Sequence, residues 1–145
     1  MEKTKAAIIP IIIVILFLFA NVTTAQNKKV DCKKAVTQTD LNLCAKYSYE
    51  NAQKNLDELY TKLFNIIKER QNDFANENDL TGKKFVDDFI NSQEQWRKYR
   101  KSFVGFYSSI YQGGSIQPMI YYNIKTKITK ERTNELKDLL EEFSM

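Results

Sequence analysis

The segment SQEQWRKYRK, residues 92–101, contains the only tryptophan of the chain, Trp96, together with a tyrosine and four basic residues. Aromatic and basic side chains alternate in this way on nucleic-acid surfaces, on partner-binding faces and on the flanks of core helices. The helical spacing of the apolar residues favours the third of these, the flank of a core helix. We therefore predict a helix in which Trp96 and Tyr99 point inward and three basic side chains face water. Those three are Arg97, Lys98 and Lys101.

Apolar residues at steps of three and four predict three long helices and no strand. The stripe through the opening segment comprises Phe85, Phe89, Ser92, Trp96, Tyr99, Phe103, Phe106 and Ile110. The stripe before it comprises Leu41, Ala45, Ser48, Ala52, Leu56, Leu59, Leu63 and Ile66, and the stripe after it comprises Ile120, Ile124, Ile128, Leu136, Leu139 and Phe143. The predicted helices span about 38–70, 83–111 and 116–143.

The breaks between these helices are polar and contain glycine. QNDFANENDLTG, residues 71–82, separates the first two helices, and QGGS, residues 112–115, separates the last two, with Ser115 as a predicted N-cap. Thr37 and Asp40 have the spacing of a capping box at the start of the first helix. Short turns between helices of similar length predict an all-α, antiparallel up-down-up three-helix bundle.

The turns also predict which residues lie level with one another. The second turn places Trp96 beside Arg132, and the first places Leu56 beside Trp96, so that Trp96 would fill the centre of the bundle. Arg132 lies on an apolar stripe, where its charge would need the Trp96 ring and the Asp57 carboxylate as compensation. The predicted polar cluster of the core consists of Asp57, Trp96, Arg100 and Arg132.

Residues 1–25 have the pattern of a secretory signal peptide. MEKTK supplies positive charge, a run of 15 apolar residues follows, and the segment ends at the small residue Ala25. The run is shorter than the ~20 residues that span a membrane, so the chain cleaved before Gln26 is expected to have no stable membrane span. It would be exported, periplasmic or secreted, with an N-terminal segment, 26–36, and a three-helix domain, 37–145.

Cys32 and Cys44 are the only cysteines, and a disulfide is the default for such a pair in an exported chain. It would tie residues 26–36 to the first helix. A redox site would need the spacing C-x-x-C, and two thiolates without histidine do not complete an ordinary zinc site. Histidine is absent from the chain, which also excludes Ser-His-Asp and Cys-His catalytic sites.

The acidic residues do not predict an enzyme either. The adjacent pairs Asp57/Glu58, Asp87/Asp88 and Glu141/Glu142 point about 100° apart on a helix, so they suit solvent better than a shared proton. We predict no catalytic residue, no metal site and no cofactor. Without the signal peptide, 20 basic and 17 acidic residues remain, a net charge of +3, which is too even for a nucleic-acid-binding protein.

Several short motifs together resemble one known pattern. They are Cys32, TQTDLNLCA (37–45), Leu56 and Tyr60, SQEQWRKYR (92–100), GGS (113–115) and ITKERTNEL (128–136). In order and spacing they are similar to the LprI-like lysozyme-inhibitor domain, a small helical module of exported bacterial proteins. The resemblance covers essentially the whole exported chain. It implies a protein that binds and inhibits a lysozyme-type muramidase.

The sequence departs from that family pattern at several positions. Val104 and Ile124 stand where the family commonly has a second cysteine pair, and the predicted register places these two residues side by side. Lys101 replaces an acidic residue of the family. Gln53 and Asp57 stand where the family has Asp and Asn. The differences at positions 53, 57 and 101 change the charge available for contacts with a partner.

A muramidase inhibitor would need a protruding loop that fills the cleft between the two catalytic carboxylates of the enzyme. The candidate loop comprises Tyr111, Gln112, Gly113, Gly114, Ser115 and Gln117. Its alternative role is that of a helix-hairpin turn and nothing more. The alternative function is a periplasmic module that binds an envelope protein or a glycan without inhibiting lysozyme. The sequence leaves the partner and the oligomeric state open.

Overall fold

The computed structural model describes residues 30–76 and 84–144, and within them the protein is all-α. Helix α1 spans Gln38–Asn76, α2 spans Phe85–Ser109 and α3 spans Gln117–Ser144. The predicted antiparallel up-down-up three-helix bundle is confirmed. The signal peptide predicted at residues 1–25 lies outside the described residues.

Contacts between the helices establish their directions and agree with the predicted register. Gln53 of α1 meets Arg100 of α2, and further along α1, Gln71 meets Val86 near the start of α2, so these two helices are antiparallel. At the start of α1, the Asn42 amide donates to the backbone carbonyl of Ser115 just before α3. Helices α1 and α3 therefore run in the same direction.

The first helix begins at the predicted cap but ends later than predicted. The Thr37 hydroxyl oxygen accepts from the backbone N–H of Asp40 at 3.1 Å, and the hydroxyl donates to the Asp40 carboxylate at 2.7 Å. The helix then continues to Asn76 instead of ending near Arg70. Tertiary contacts hold the extra turns: Phe74 packs edge-on against Phe85 at 5.5 Å, and Gln71 accepts from the backbone N–H of Val86 at 3.0 Å.

One end of the bundle, which we call the apolar end, contains the hydrophobic core. Leu56, Leu63, Ile67, Phe89 and Leu136 are buried together there, and further partly buried apolar side chains surround them. The Tyr60 ring stacks on the Phe89 ring, with centroids 5.0 Å apart. Burying a side chain of this size stabilises the fold by about 1.5–3 kcal/mol, so this cluster is the main source of apolar stabilisation.

The opposite end, which we call the disulfide end, has an interior of small and polar residues. They are Ala45, Ala52, Val104, Ser108, Thr126 and Thr129. The buried hydroxyls are satisfied within their helices: Thr126 donates to the carbonyl of Tyr122 at 2.7 Å, and Thr129 donates to that of Lys125 at 2.7 Å. These small side chains let the helices approach closely but contribute little buried apolar area.

A disulfide bond adds stability at this end, where little apolar area is buried. The predicted disulfide between Cys32 and Cys44 is confirmed, with their Cα atoms 5.6 Å apart. It closes a loop across a sequence separation of 12, and in the chain-entropy account a loop of this length stabilises the fold by about 2–3 kcal/mol. The segment that precedes α1 is thereby tied to the second turn of that helix.

The turn between α2 and α3 lies at the disulfide end. Gly113 has a φ of 81°, a left-handed conformation that favours glycine, whereas Gly114 does not have a positive φ. The backbone N–H of Gly114 donates to the carbonyl of Tyr111 at 3.1 Å, and that of Gln117 donates to the carbonyl of Gly114 at 3.1 Å. Helix α3 begins at Gln117, so Ile116 takes the N-cap position that we predicted for Ser115.

The predicted inward stripe of α2 is wrong in the second half of the helix. The buried residues of α2 are Phe89, Gln93, Val104 and Ser108. Tyr99, Phe106 and Ile110 are exposed, at 56%, 68% and 65%. The two sets of residues are centred about 130° apart around the helix. At the disulfide end, the interior positions of α2 are therefore occupied by the small side chains of Val104 and Ser108, and Tyr99, Phe106 and Ile110 face outward.

Candidate functional site

Arg100 connects all three helices near the middle of the bundle. One guanidinium nitrogen, Nη1, donates to Gln53 Oε1 of α1 at 2.6 Å and to Thr129 Oγ1 of α3 at 2.8 Å. The same guanidinium lies 4.4 Å from the centroid of the Trp96 ring and 5.8 Å from that of Tyr49. Burial lowers the pKa of Arg100, an effect that the neighbouring Tyr49 opposes, and a guanidinium nonetheless keeps its proton in proteins.

Arg132 has different partners from those that the sequence predicted. Its Nε donates to Gln93 Oε1 at 3.1 Å, its Nη2 donates to Ser92 Oγ at 3.2 Å, and its Nη1 forms an ion pair with Glu135 at 2.8 Å. The predicted pairing with Asp57 is wrong. The Asp57 side chain is exposed on α1 and accepts from Gln53 Nε2 at 2.8 Å. Glu135 lies three residues from Arg132 on the same helix, where side chains meet without any tertiary contact.

Trp96 lies beside Arg132 as the register predicted, at 6.0 Å, but it is not the central residue of the bundle. It is half-buried and packs on the edge of the hydrophobic core, between the guanidinium groups of Arg100 and Arg132. Tyr99, which was also predicted to point inward, is exposed. Trp96 therefore marks the boundary between the buried face of α2 and its outward face.

Sequence reasoning missed Gln93, which is 1% exposed and lies on the buried face of α2 against Arg132 of α3. Its Oε1 accepts from Arg132, while its Nε2 has no hydrogen-bond partner within the described part of the chain. Gln93 follows Phe89 by four residues and precedes Arg100 by seven, so a stripe drawn through those two residues would have found it.

Four cationic side chains and a tyrosine line a groove between α2 and α3. It has a volume of about 320 Å³ and is lined by Arg97, Arg100, Lys101, Val104, Tyr121 and Lys125. The Lys125 ammonium lies 5.3 Å from the centroid of the Tyr121 ring. Across residues 30–76 and 84–144, no carboxylate forms an ion pair with any of these cations. We call this the basic groove; its charge and size suit a small anionic ligand.

The candidate partner loop, residues 111–117, forms an exposed turn that is attached to the rest of the bundle. Gln112, Gly113, Gly114 and Ser115 are all exposed. The Ser115 carbonyl accepts from Asn42 Nδ2 of α1 at 3.0 Å, and Cys44 of the disulfide lies two residues further along α1. Tyr111 is 36% exposed, whereas Gln117 is partly buried as the first residue of α3.

An exposed row of apolar side chains, which we call the outward face of α2, leads up to this turn. It comprises Tyr99, Phe103, Phe106 and Ile110. The rings of Tyr99 and Phe103 stack with their centroids 5.7 Å apart, and Tyr107 continues the row, 6.2 Å from Phe103 and 6.5 Å from Tyr111. Mutual stacking restrains these rings although solvent reaches most of them.

The described residues contain no group of three or more acidic, histidine or cysteine side chains that could hold a metal ion. Among the same residues, no helix has the length and apolar character needed to cross a membrane. The turn, the basic groove and the outward face of α2 are candidate binding surfaces.

Comparison with known proteins identifies the family to which the chain is similar. A family described as "Lysozyme inhibitor LprI" matches residues 31–136, which include all three helices in part or whole and both cysteines. A Rhizobium meliloti (strain 1021) protein named "Uncharacterized protein R02472" is 30% identical over 117 residues, or 81% of this chain and 84% of that protein. No solved structure matches the chain significantly.

Proposed function

Because the chain belongs to the LprI family of lysozyme inhibitors, we propose that it is an exported protein that binds a lysozyme-type muramidase and inhibits it. The observation that carries this proposal is the family match, which covers residues 31–136 and therefore the first two helices and most of the third rather than one motif. The disulfide supports export, since such bonds persist in oxidising compartments. The pattern of residues 1–25 predicts the same.

The turn at the disulfide end is the surface that best fits a muramidase cleft. Such a cleft has two catalytic carboxylates on either side of the scissile bond, and an inhibitor must exclude the substrate from the space between them. Gly113, Gly114 and Ser115 form a narrow, exposed tip whose side chains are small. The turn carries no acidic side chain between residues 111 and 117, so it brings no negative charge towards those carboxylates.

The anchoring of the turn also supports this role. A loop that is ordered before binding loses less conformational entropy when it enters a cleft. Here the hydrogen bond from Asn42 to the Ser115 carbonyl holds the turn against α1, close to the disulfide. The left-handed Gly113 shapes its tip. The inhibitor is therefore expected to bind as a preformed surface.

The test is a lysis assay with purified exported protein, peptidoglycan and lysozyme, followed by turbidity. We expect the wild-type protein to slow lysis. Ser115→Trp should abolish inhibition by blocking entry of the tip, with little change in melting temperature because the Ser115 side chain is exposed. The matched control is Ser144→Trp, which adds the same bulk at the opposite end of the bundle and should leave inhibition intact.

If the wild-type protein does not slow lysis by any lysozyme class, the proposed inhibition is wrong. If it inhibits and Ser115→Trp inhibits equally well, the turn is not the binding surface although the function stands. The two results separate the activity from its location.

The basic groove favours a second candidate function, namely binding of an anionic glycan without inhibition of lysozyme. The Tyr121 ring offers a surface for a sugar, and Lys101 and Lys125 offer charges for its carboxylates. Lys101 contributes a charge where the family pattern has an acidic residue. Calorimetry with soluble peptidoglycan fragments would test this function, with Lys101→Glu expected to weaken binding and the exposed Lys98→Glu as the control outside the groove.

A further inference from the structure

The outward face of α2 is large for a protein of this size. Tyr99, Phe103, Phe106 and Ile110 are exposed at 56%, 37%, 68% and 65%, and Tyr111 adds 36% at the end of the row. With ~200 Å² for a fully exposed aromatic side chain, these five residues present roughly 500–600 Å² of nearly continuous surface. That is at the upper limit for the largest apolar patch of an ordinary monomer, and such patches mark interaction sites.

The spacing of this face indicates that its partner is another helix. The steps from Tyr99 to Phe103, Phe106 and Ile110 are four, three and four residues, which is the pattern of a coiled-coil seam. On one side of the seam two neighbouring residues are small: Ser102 and Ser109 are both exposed there. A second helix could therefore approach α2 closely along this row.

We propose that this face pairs two copies of the chain in an antiparallel, two-fold symmetric dimer. Pairing about a point between Phe103 and Phe106 places Phe103 of each copy against Phe106 of the other. Tyr99 of each copy then meets Ile110 of the other. The face is thus complementary to itself, as a two-fold interface requires. This dimer and the proposed inhibition share only Tyr111, since Gln112–Gln117 lie outside the seam.

The charges around the face favour a second copy in the antiparallel direction. Lys98 and Lys101 lie at one end of the row, and the other end, Ser109 to Gln112, is uncharged. Antiparallel pairing puts the lysines of the two copies at opposite ends and brings Lys98 level with Tyr111 of the other copy. Parallel pairing would set the lysines of one copy against those of the other, which is unfavourable.

The area predicts a weak dimer. Two copies would bury roughly 1,000–1,200 Å² in total, at the lower limit of specific protein interfaces. Such an interface corresponds to a dissociation constant in the micromolar range, on the order of 1–100 μM, once the cost of association is included. The protein would then be a monomer when dilute and a dimer when concentrated.

Sedimentation equilibrium of the purified exported protein from about 1 μM to 1 mM tests the dimer over this range. We expect a reversible monomer–dimer equilibrium, and Phe106→Glu should weaken it at least about 100-fold because two charges would be buried at the seam. Val36→Glu is the matched control: Val36 is 85% exposed and lies outside the face, so dimerisation should persist. A wild-type monomer at 1 mM, or a dimer that Phe106→Glu leaves unchanged, would overturn the proposal. Ile110→Lys replaces Phe106→Glu if the latter does not fold.

Cysteine cross-linking tests the direction of pairing. Tyr99 of one copy should meet Ile110 of the other, so a mixture of Tyr99→Cys and Ile110→Cys proteins should form a cross-linked dimer under mild oxidation. Each variant alone should remain largely uncross-linked. If each variant cross-links with itself as readily as with the other, the antiparallel register is wrong.

Discussion

The two ends of the bundle are built on different physical principles although the same three helices form both. At the apolar end, Leu63, Ile67 and Phe89 are buried in a cluster of large side chains. At the disulfide end, the small residues Val104, Ser108 and Thr129 are buried, and Tyr99, Phe103 and Phe106 of α2 are exposed. The first end gains its stability from apolar burial, and the second from a covalent bond and satisfied polar groups.

This difference explains where the candidate binding surfaces lie. The turn and the outward face of α2 both belong to the disulfide half of the molecule, and the basic groove adjoins them. An end that does not bury its large rings can present them to a partner, provided that something else holds it together. The Cys32–Cys44 bond and the Arg100 contacts with Gln53 and Thr129 meet that condition.

The two ends should differ most in how much stability is lost when a buried side chain is shortened to alanine. Leu63 is fully buried in the hydrophobic cluster, so Leu63→Ala should lower the free energy of unfolding by about 2–5 kcal/mol. Val104→Ala removes a smaller buried side chain at the disulfide end and should cost about 1–2 kcal/mol. Urea denaturation of both variants measures the two values. An equal loss would mean that the ends do not differ in apolar stabilisation.

Removal of the disulfide should weaken the second end specifically. Replacing Cys32 and Cys44 together by serine should lower the free energy of unfolding by about 2–3 kcal/mol. Hydrogen exchange measured by mass spectrometry should show the loss of protection mainly in the first turns of α1, while Leu63 and its neighbours stay protected. A uniform loss of protection along the bundle would contradict the local role of the bond.

The two glycines of the turn should differ. Gly113 has a positive φ, so Gly113→Ala should cost about 1 kcal/mol. Gly114 lacks a positive φ, and a Cβ there would lie 3.3 Å from the Tyr111 carbonyl oxygen, a contact that a small backbone shift relieves. Gly114→Ala should therefore cost less, and thermal melting of both variants gives the order. The reverse order would mean that crowding, and not backbone conformation, limits the turn.

The smallest effect is expected at Asp57. Its carboxylate is exposed and accepts only from Gln53 in the described contacts, so Asp57→Ala should change the free energy of unfolding by no more than about 0.5 kcal/mol. Gln53→Ala is the substitution for comparison. It removes a hydrogen-bond acceptor from Arg100 and should lower the free energy of unfolding by about 1–2 kcal/mol. A loss at Asp57 as large as that at Gln53 would show that Asp57 supports the Arg100 network directly.

Periodicity, capping and cysteine count were enough to predict the class of fold, the direction of the helices, the start of α1 and the disulfide. These features depend on local chemistry or on short connections. The position of Trp96 beside Arg132 also followed from the length of the second turn. The end of α1 was not predictable in this way, because Gln71 and Phe74 are helical through contacts with Val86 and Phe85, which only the folded chain brings near.

The sequence by itself determined that this chain forms three amphipathic helices joined by a glycine turn and tied by one disulfide, since each of these depends on neighbours along the chain. The tertiary structure decided which face of α2 is buried. Tyr99, Phe103, Phe106 and Ile110 form the more apolar stripe, yet Val104 and Ser108 occupy the interior. The physical reason is that burial along α2 depends on how this helix docks on α1 and α3. At that end it docks through Val104 and Ser108, and the contacts that fix this docking join residues far apart in sequence, which the periodicity of α2 alone does not encode.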